Sequence, residues 1–435
     1  MKKILYILAL ALIMAGCSTS EDRSHILKVY NWADYIDEEL LDEFEQWYKE
    51  QTGDDVKIIY QTFDINETML SKIELGHEDY DVVCPSDYII ERMLRNDLLL
   101  PLERDFGDTP DYLGNVAPYI VSKFDEIEGN GKNANDYAVG YMWGTVGLIY
   151  NPKYVAEEET ESWTVLQNPA YKGKVLMKDA FRDVYTALLI GLNKDEIDAG
   201  RKDIRTLAFD TSDEAITLVE DFMCSFRESV CGWEADFGKE QMTKELAWMN
   251  LSWSGDAQWA IDEAAEIGME LKYTVPSEGS AIWFDGWVIP KYAKNTKAAR
   301  YFINFMCKPE NAIRNMDMTG YVSTIGGEEV LESMTDEEYD AIDVSYFFGE
   351  EADSVCINPI MYPAKATVEH CAMMHDTDTE ALLKMWSRVK GDNASAWTYI
   401  LICLVFAGLI TAVILKYTRK RYRRKRYAKR RSKRK

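Results

Sequence analysis

From Ile26 onward the sequence switches back and forth between two hydrophobic periods, and that switching confines the chain to one class of architecture. Ile26-Leu27-Lys28-Val29-Tyr30 reads as a strand, Glu38 to Tyr48 as a helix with Leu40, Leu41, Phe44 and Trp47 on one face, and Val56-Lys57-Ile58-Ile59-Tyr60 as a second strand. Asp64-Ile65-Asn66-Glu67 has the spacing of a capping box before a helix to about Leu75. Tyr80-Asp81-Val82-Val83-Cys84 reads as a buried strand, and Ser86 is placed to cap the helix that runs through Met93. Strands alternating with helices predict an α/β fold, a mostly parallel sheet with helices on its faces. A loop, Gly140-Tyr141-Met142-Trp143-Gly144, is expected before a strand at Val146-Gly147-Leu148-Ile149-Tyr150; a second alternating block then runs to about Tyr273, and a third begins near Trp283. An open sheet of this kind binds ligand beyond the carboxyl ends of its strands. The clusters Asn31-Trp32-Ala33-Asp34-Tyr35 and Pro85-Ser86-Asp87-Tyr88 directly follow predicted strands.

The two ends carry export and topology signals. Lys2 and Lys3 precede an apolar run from Ile4 to Met14, then Ala15-Gly16-Cys17. Residues 1–16 read as a secretory signal, and the small residues before Cys17 resemble the bacterial lipobox, with Cys17 as the lipid anchor. At the other end Ala396 to Leu415 is free of charge and of the length a helix needs to cross a bilayer core, so a C-terminal transmembrane helix over 396–415 is expected. A basic tail, 416–435, follows it and is expected to stay cytoplasmic, which puts the body between the two ends outside the cytoplasm, held to the inner membrane.

The chain carries 49 Lys and Arg against 74 Asp and Glu. Because fourteen of the basic residues lie from Lys416 onward and two more are Lys2 and Lys3, the body alone stands at roughly −41. Such a surface repels nucleic acid and gathers cations. Cys84, Cys307, Cys356 and Cys371 lie far apart, and only Cys224 and Cys231 are near enough in sequence to suggest a local disulfide in an oxidising compartment. Neither the cysteines nor the four histidines have the spacing of a zinc site, and neither a metal nor any other cofactor is expected.

What the cleft-forming segments do carry is rings beside acids. Trp32 with Asp34, Trp253 with Asp256 and Trp283 with Asp285 each put an aromatic face and a carboxylate within a few residues at a predicted strand end. A site for an organic cation with an alkyl chain needs that combination: flat walls for the methylenes and carboxylates for the charged ends.

Val29-Tyr30-Asn31-Trp32-Ala33-Asp34-Tyr35-Ile36 resembles the opening motif of bacterial spermidine/putrescine-binding proteins, the ligand-capturing subunits of ABC-type importers. Further stretches resemble the family in order: Asn66-Glu67-Thr68-Met69, Asp81 to Tyr88, Tyr141 to Gly144, Asn168 to Lys174, Trp253-Ser254-Gly255-Asp256, and Ile282 through Pro290. The resemblance extends from about His25 to Lys390. It implies a two-lobed periplasmic binding protein fold of type II, with lobe 1 at 26–142 and 283–330 and lobe 2 at 143–282 and 331–390. It also implies that Trp32, Tyr35, Tyr88, Trp253, Trp283 and Tyr321 box the alkyl chain, that Ser86 makes a polar contact, and that Asp34, Asp183, Asp256 and Asp285 meet the amines, with Asp179 an alternative to Asp183. Asp34 and Asp256 resemble the putrescine-type pattern and Trp283 the spermidine type, which leaves the ligand open between the two.

The implied partners are a polyamine and the permease subunits of an importer, with the protein itself acting as a monomer. A tethered polyamine sensor is the alternative binding role. An exported carboxylate-dependent hydrolase is the enzymatic alternative, and it is disfavoured because no His-Glu-x-x-His, Gly-x-Ser-x-Gly or P-loop motif is present.

Overall fold

The computed structural model describes residues 22–235 and 237–391. The expected leader over 1–16, the lipid anchor Cys17, the span at 396–415 and the tail at 416–435 lie outside the described residues. Among those described, no helix is long and apolar enough to cross a membrane. The expected fold class is corrected accordingly, to an α/β fold that contains no transmembrane helix among the described residues. The last described helix, Thr379–Lys390, has 12 residues and carries Glu380, Lys384, Arg388 and Lys390. It reaches about 18 Å, well short of a bilayer core of about 30 Å. The chain divides into two compact units, Met1–Thr379 and Glu380–Lys435, and the account below concerns the first.

That unit opens with β1 (Ile26–Trp32), α1 (Glu39–Thr52), β2 (Lys57–Phe63), α2 (Asn66–Glu74), β3 (Val82–Val83) and α3 (Asp87–Arg95). The alternation is the one the sequence predicts. α1 buries Leu40, Leu41, Phe44 and Tyr48 at helical spacing and stops at Gly53, whose φ of 77° lets its N–H close back on Lys49 O at 2.8 Å. The two expected caps differ. α2 begins after Ile65 with no side-chain cap, and Ser86 precedes α3 without capping it; its hydroxyl accepts a hydrogen bond from Asn66 Nδ2 at 2.9 Å.

β4 (Ala138–Tyr150) is 13 residues long and buried throughout. The expected loop Gly140 to Gly144 therefore belongs to the strand. A stretch buried on both faces has no polar alternation to mark it, and glycine marks close approach, not a turn: a Cβ on Gly144 would lie 2.7 Å from the Trp283 ring and 2.5 Å from Ser254 Oγ. Next come β5 (Val175–Lys178), α4 (Phe181–Leu192), β6 (Val230–Glu234), β7 (Met249–Trp253), α5 (Ser254–Glu266), β8 (Lys272–Thr274) and β9 (Ser280–Val288). α6 (Thr296–Met306), α7 (Pro309–Thr319), β10 (Val322–Ser323) and β11 (Cys371–Met373) complete the elements used below.

The strands form one sheet in the order β2-β1-β3-β9-β4-β7-β5-β6, with β8 and β10 also on β4 and β11 on β9. The outer pairs β1/β2, β1/β3, β5/β6 and β5/β7 are parallel. The centre is antiparallel: β9 pairs with β3 and with the first half of β4, and the second half of β4 pairs with β7. The sheet is thus more mixed than the alternation predicts, because β4 and β9 are long enough to run from one parallel block into the other.

Asp81, 0% exposed just ahead of β3, ties this frame together. Its carboxylate accepts from Arg23 at 3.0 Å and from the backbone N–H groups of Lys28, Lys294 and Asn295 at 2.9, 2.7 and 2.8 Å. A buried charge satisfied by four donors is costly to remove, since one deletion takes the acceptor from three backbone amides and leaves the Arg23 guanidinium with Asp79 as its one carboxylate partner. Asp81→Ala is expected to lower stability by about 3–5 kcal/mol, read as a shift of the urea unfolding midpoint.

Candidate functional site

β1 and β3 both end where the central antiparallel strands pass, and the side chains beyond their carboxyl ends converge on β9. Tyr35, buried three residues after β1, donates its hydroxyl to Asp285 Oδ2 at 2.9 Å. Asp285 sits at a shift of register between β9 and β4 and is bridged to Ser86 by a backbone pairing, an irregularity of the kind that re-aims a side chain. It is 5% exposed, and its Oδ1 is buried with no hydrogen-bond partner. Burial pushes the Asp285 carboxyl up to about 7, against the opposing Ser86 and Tyr35 hydroxyls and with the help of the nearby Asp183 charge.

The Tyr35 ring meets Tyr321 edge-on with centroids 5.1 Å apart, and Tyr321 meets Trp283 in the same way at 5.6 Å. Tyr321 reaches this place because α7 ends at Gly320, whose φ of 73° turns the chain out of the helix. The ring then lies over Gly255 so closely that a Cβ there would stand 2.2 Å from it. Its hydroxyl donates to Asp256 Oδ1 at 2.8 Å. Desolvation first, and then the neighbouring carboxylates, push the phenols of Tyr35 and Tyr321 well up, so both stay donors.

Asp256 occupies the first turn of α5, where the helix dipole favours an anion. Lys178, the last residue of β5, places its ammonium against Oδ2, and Lys239 Nζ lies 3.5 Å from Oδ1. Burial raises the Asp256 carboxyl, but the two lysines and the Tyr321 hydroxyl more than offset it and hold the group below its ordinary value. Lys178 also lies 4.2 Å from the centre of the Trp253 ring. The Trp253 indole N–H donates to Asp183 Oδ2 at 3.0 Å. Asp183 is pushed up to about 6 by desolvation, opposed by that indole and by Arg182 and Lys178.

On the other flank, Asn66 Nδ2 donates to Ser86 Oγ at 2.9 Å and to the Tyr88 hydroxyl at 3.2 Å. The Arg182 guanidinium sits 4.7 Å from the centre of the Tyr88 ring. Hydrogen bonds and ring contacts therefore link Tyr35, Ser86, Tyr88, Asp183, Trp253, Asp256, Trp283, Asp285 and Tyr321. Trp32 and Asp34 are placed differently. Trp32 packs on Phe63 with centroids 4.5 Å apart, and its indole N–H is buried without a partner. Asp34, exposed and at φ 51°, lines an open cavity of about 830 Å³ together with Asp179, Trp233, Lys239 and Trp259.

Lys178, Glu234, Arg182 and Asn66 were not among the residues the sequence singles out as a site. A lysine ordinarily reads as surface. The signal was its position as the final residue of a buried strand, the place where an open sheet holds ligand. Cys224 and Cys231, expected as a local disulfide, are both free thiols; Cys231 donates its S–H to Val175 O at 3.3 Å on the neighbouring strand.

Comparison with known proteins gives a consistent set of relatives. The family described as bacterial extracellular solute-binding protein matches residues 39–335. The spermidine/putrescine-binding periplasmic protein of Escherichia coli is 27% identical over 322 residues, 73% of this chain and 82% of its own. A putrescine-binding periplasmic protein of the same organism is 27% identical over 331 residues, 72% of this chain and 81% of its own. Among solved structures, the spermidine/putrescine ABC transporter substrate-binding protein of Streptococcus pneumoniae superposes with a TM-score of 0.63 at 30% identity, covering 84% of this chain and 99% of that one.

The raised Asp285 carboxyl has a cost that can be measured. Its folded value of about 7 stands above the ordinary 3.8. Between those two values the unfolded state gives up the proton first, so the stability of the empty protein falls as pH rises, by about 1.4 kcal/mol per pH unit of that interval. Asp285→Asn, which cannot ionise, is expected to melt a few degrees above the wild type at pH 8, by a smaller margin at pH 5 and no higher below about pH 4, by calorimetry on the unliganded protein.

Proposed function

The chain belongs to the bacterial extracellular solute-binding protein family, and we propose that it captures a small polyamine of the putrescine or spermidine type outside the cytoplasm for an ABC-type importer. The observation that carries this reading is Asp285: a buried carboxylate with one oxygen unpartnered, beside the ring set of Tyr35, Tyr321 and Trp283. An unpaired carboxylate among aromatic faces is what an alkylammonium satisfies, by a charge-assisted hydrogen bond to the acid and by apolar and cation–π contact with the rings. Asp183 supplies a second acid whose proton a cation would displace.

In this reading the protein acts by binding, with no bond made or broken. Residues 26–142 with 283–330 form one lobe, 143–282 with 331–390 the other, and β4 and β9, which run through the centre of the sheet, serve as the crossovers about which the lobes close on the ligand. Trp32 and Asp34 join the site on closure. Cys17 carries the lipid that keeps the protein near the permease.

Calorimetric titration of the purified protein tests the reading. Putrescine or spermidine is expected to bind, and Asp285→Asn and Trp253→Ala are each expected to weaken binding by about tenfold or more while the fold persists. Unchanged affinity in both variants would sink the site assignment, and no binding of either amine would sink the function. A second outcome follows from the carboxyl values of about 7 and about 6. An ammonium binds the ionised acids, so complex formation must release protons below pH 7. Affinity is expected to rise with pH through 6 and 7 and to level off near pH 8, with binding at pH 5 weaker by about tenfold or more.

A further inference from the structure

Lys178 already provides, from within the protein, what a ligand ammonium would bring. It is 1% exposed, its Nζ lies against Asp256 and 3.3 Å from Glu234 Oε1, and it stands 4.2 Å from the centre of the Trp253 ring. Carboxylate and ring face are the two elements by which an alkylammonium is recognised. Both are taken here by a side chain that β5 delivers from its carboxyl end. The pair is built in, not incidental: Glu234 is fixed by the Gly238 N–H at 3.0 Å and by Asn250 Nδ2 at 3.1 Å, and Asp256 by the Tyr321 hydroxyl.

The charge balance of the two ends differs as a result. At the Asp256 end, two buried carboxylates face Lys178 and Lys239. At the other end, Asp285 accepts from the neutral Tyr35 hydroxyl and keeps a free oxygen. A further ammonium brought to Asp256 would meet a carboxylate already neutralised and would stand within a few ångströms of a like charge in a site screened from water, where such repulsion is strong.

We propose that Lys178 is a specificity-determining residue, a resident ammonium that fills the Asp256 subsite and so restricts the ligand to a short diamine in preference to a triamine. The inference rests on the polyamine reading and selects within it. Replacing Lys178 with a neutral side chain would leave Glu234 and Asp256 with one compensating lysine between them, and the vacated place would suit the additional ammonium of a longer ligand.

The test is calorimetric titration of the full-length wild type, Lys178→Met and Lys178→Gln with putrescine and with spermidine. The wild type is expected to bind putrescine about tenfold or more tightly than spermidine, and both variants are expected to move that ratio toward spermidine by about tenfold or more. Wild-type preference for spermidine overturns the assignment without recourse to any variant, and so does a ratio unmoved in the folded variants. A wild type that binds neither amine overturns the polyamine reading itself, an outcome distinct from binding with the wrong preference.

Discussion

The antiparallel pairing of β4 with β9 is the constraint on which the rest of the structure depends. Both strands are buried along their whole length, and between them they join the parallel block led by β1 to the one led by β5. A side chain at the centre of such a strand is removed from water whatever its chemistry. Asp285 sits there, and its raised carboxyl, its unpartnered oxygen and its need for a cation all follow from that placement.

The site built around it is a compromise between stability and readiness. Each carboxylate that waits for a cation costs the empty fold, and the protein limits the cost by neutralising one end internally with Lys178 and leaving the other open. The rings do the opposite service. Tyr35, Tyr321 and Trp283 lie edge to face in a continuous row, so much of the apolar wall is preorganised before any ligand arrives, which lowers the entropy lost on binding.

Much of this was legible in the sequence, for physical reasons that also explain what was not. The alternation from β1 to α3 could be read because those strands and helices each keep their own period. β4 could not, because complete burial erases alternation and its glycines mimic a turn. The ring and acid pairs were found in the right neighbourhood but not as pairs: Trp253 bonds Asp183 rather than Asp256, and Asp285 takes Tyr35 while Trp283 turns to Tyr321. Short-range spacing registers that two groups are near a strand end; it carries no information on which long-range partner each will meet. Asp64 and Ser86 look like caps by spacing, yet α2 and α3 begin without a side-chain cap. Lys178 escaped notice because its meaning depends on Glu234 and Asp256, 56 and 78 residues away.

The position of Lys178 has an evolutionary consequence. A lysine codon lies one base from codons for methionine, threonine, glutamine and glutamate, so the charge at the end of β5 can be cancelled or reversed by single substitutions. Such a change would leave Glu234 and Asp256 with Lys239 alone, a shortage of buried positive charge that destabilises the empty fold until a ligand ammonium takes the vacated place. Ligand range is then coupled to stability, and a descendant that exchanges this lysine for a wider range depends on the ligand it gains to restore the charge it lost.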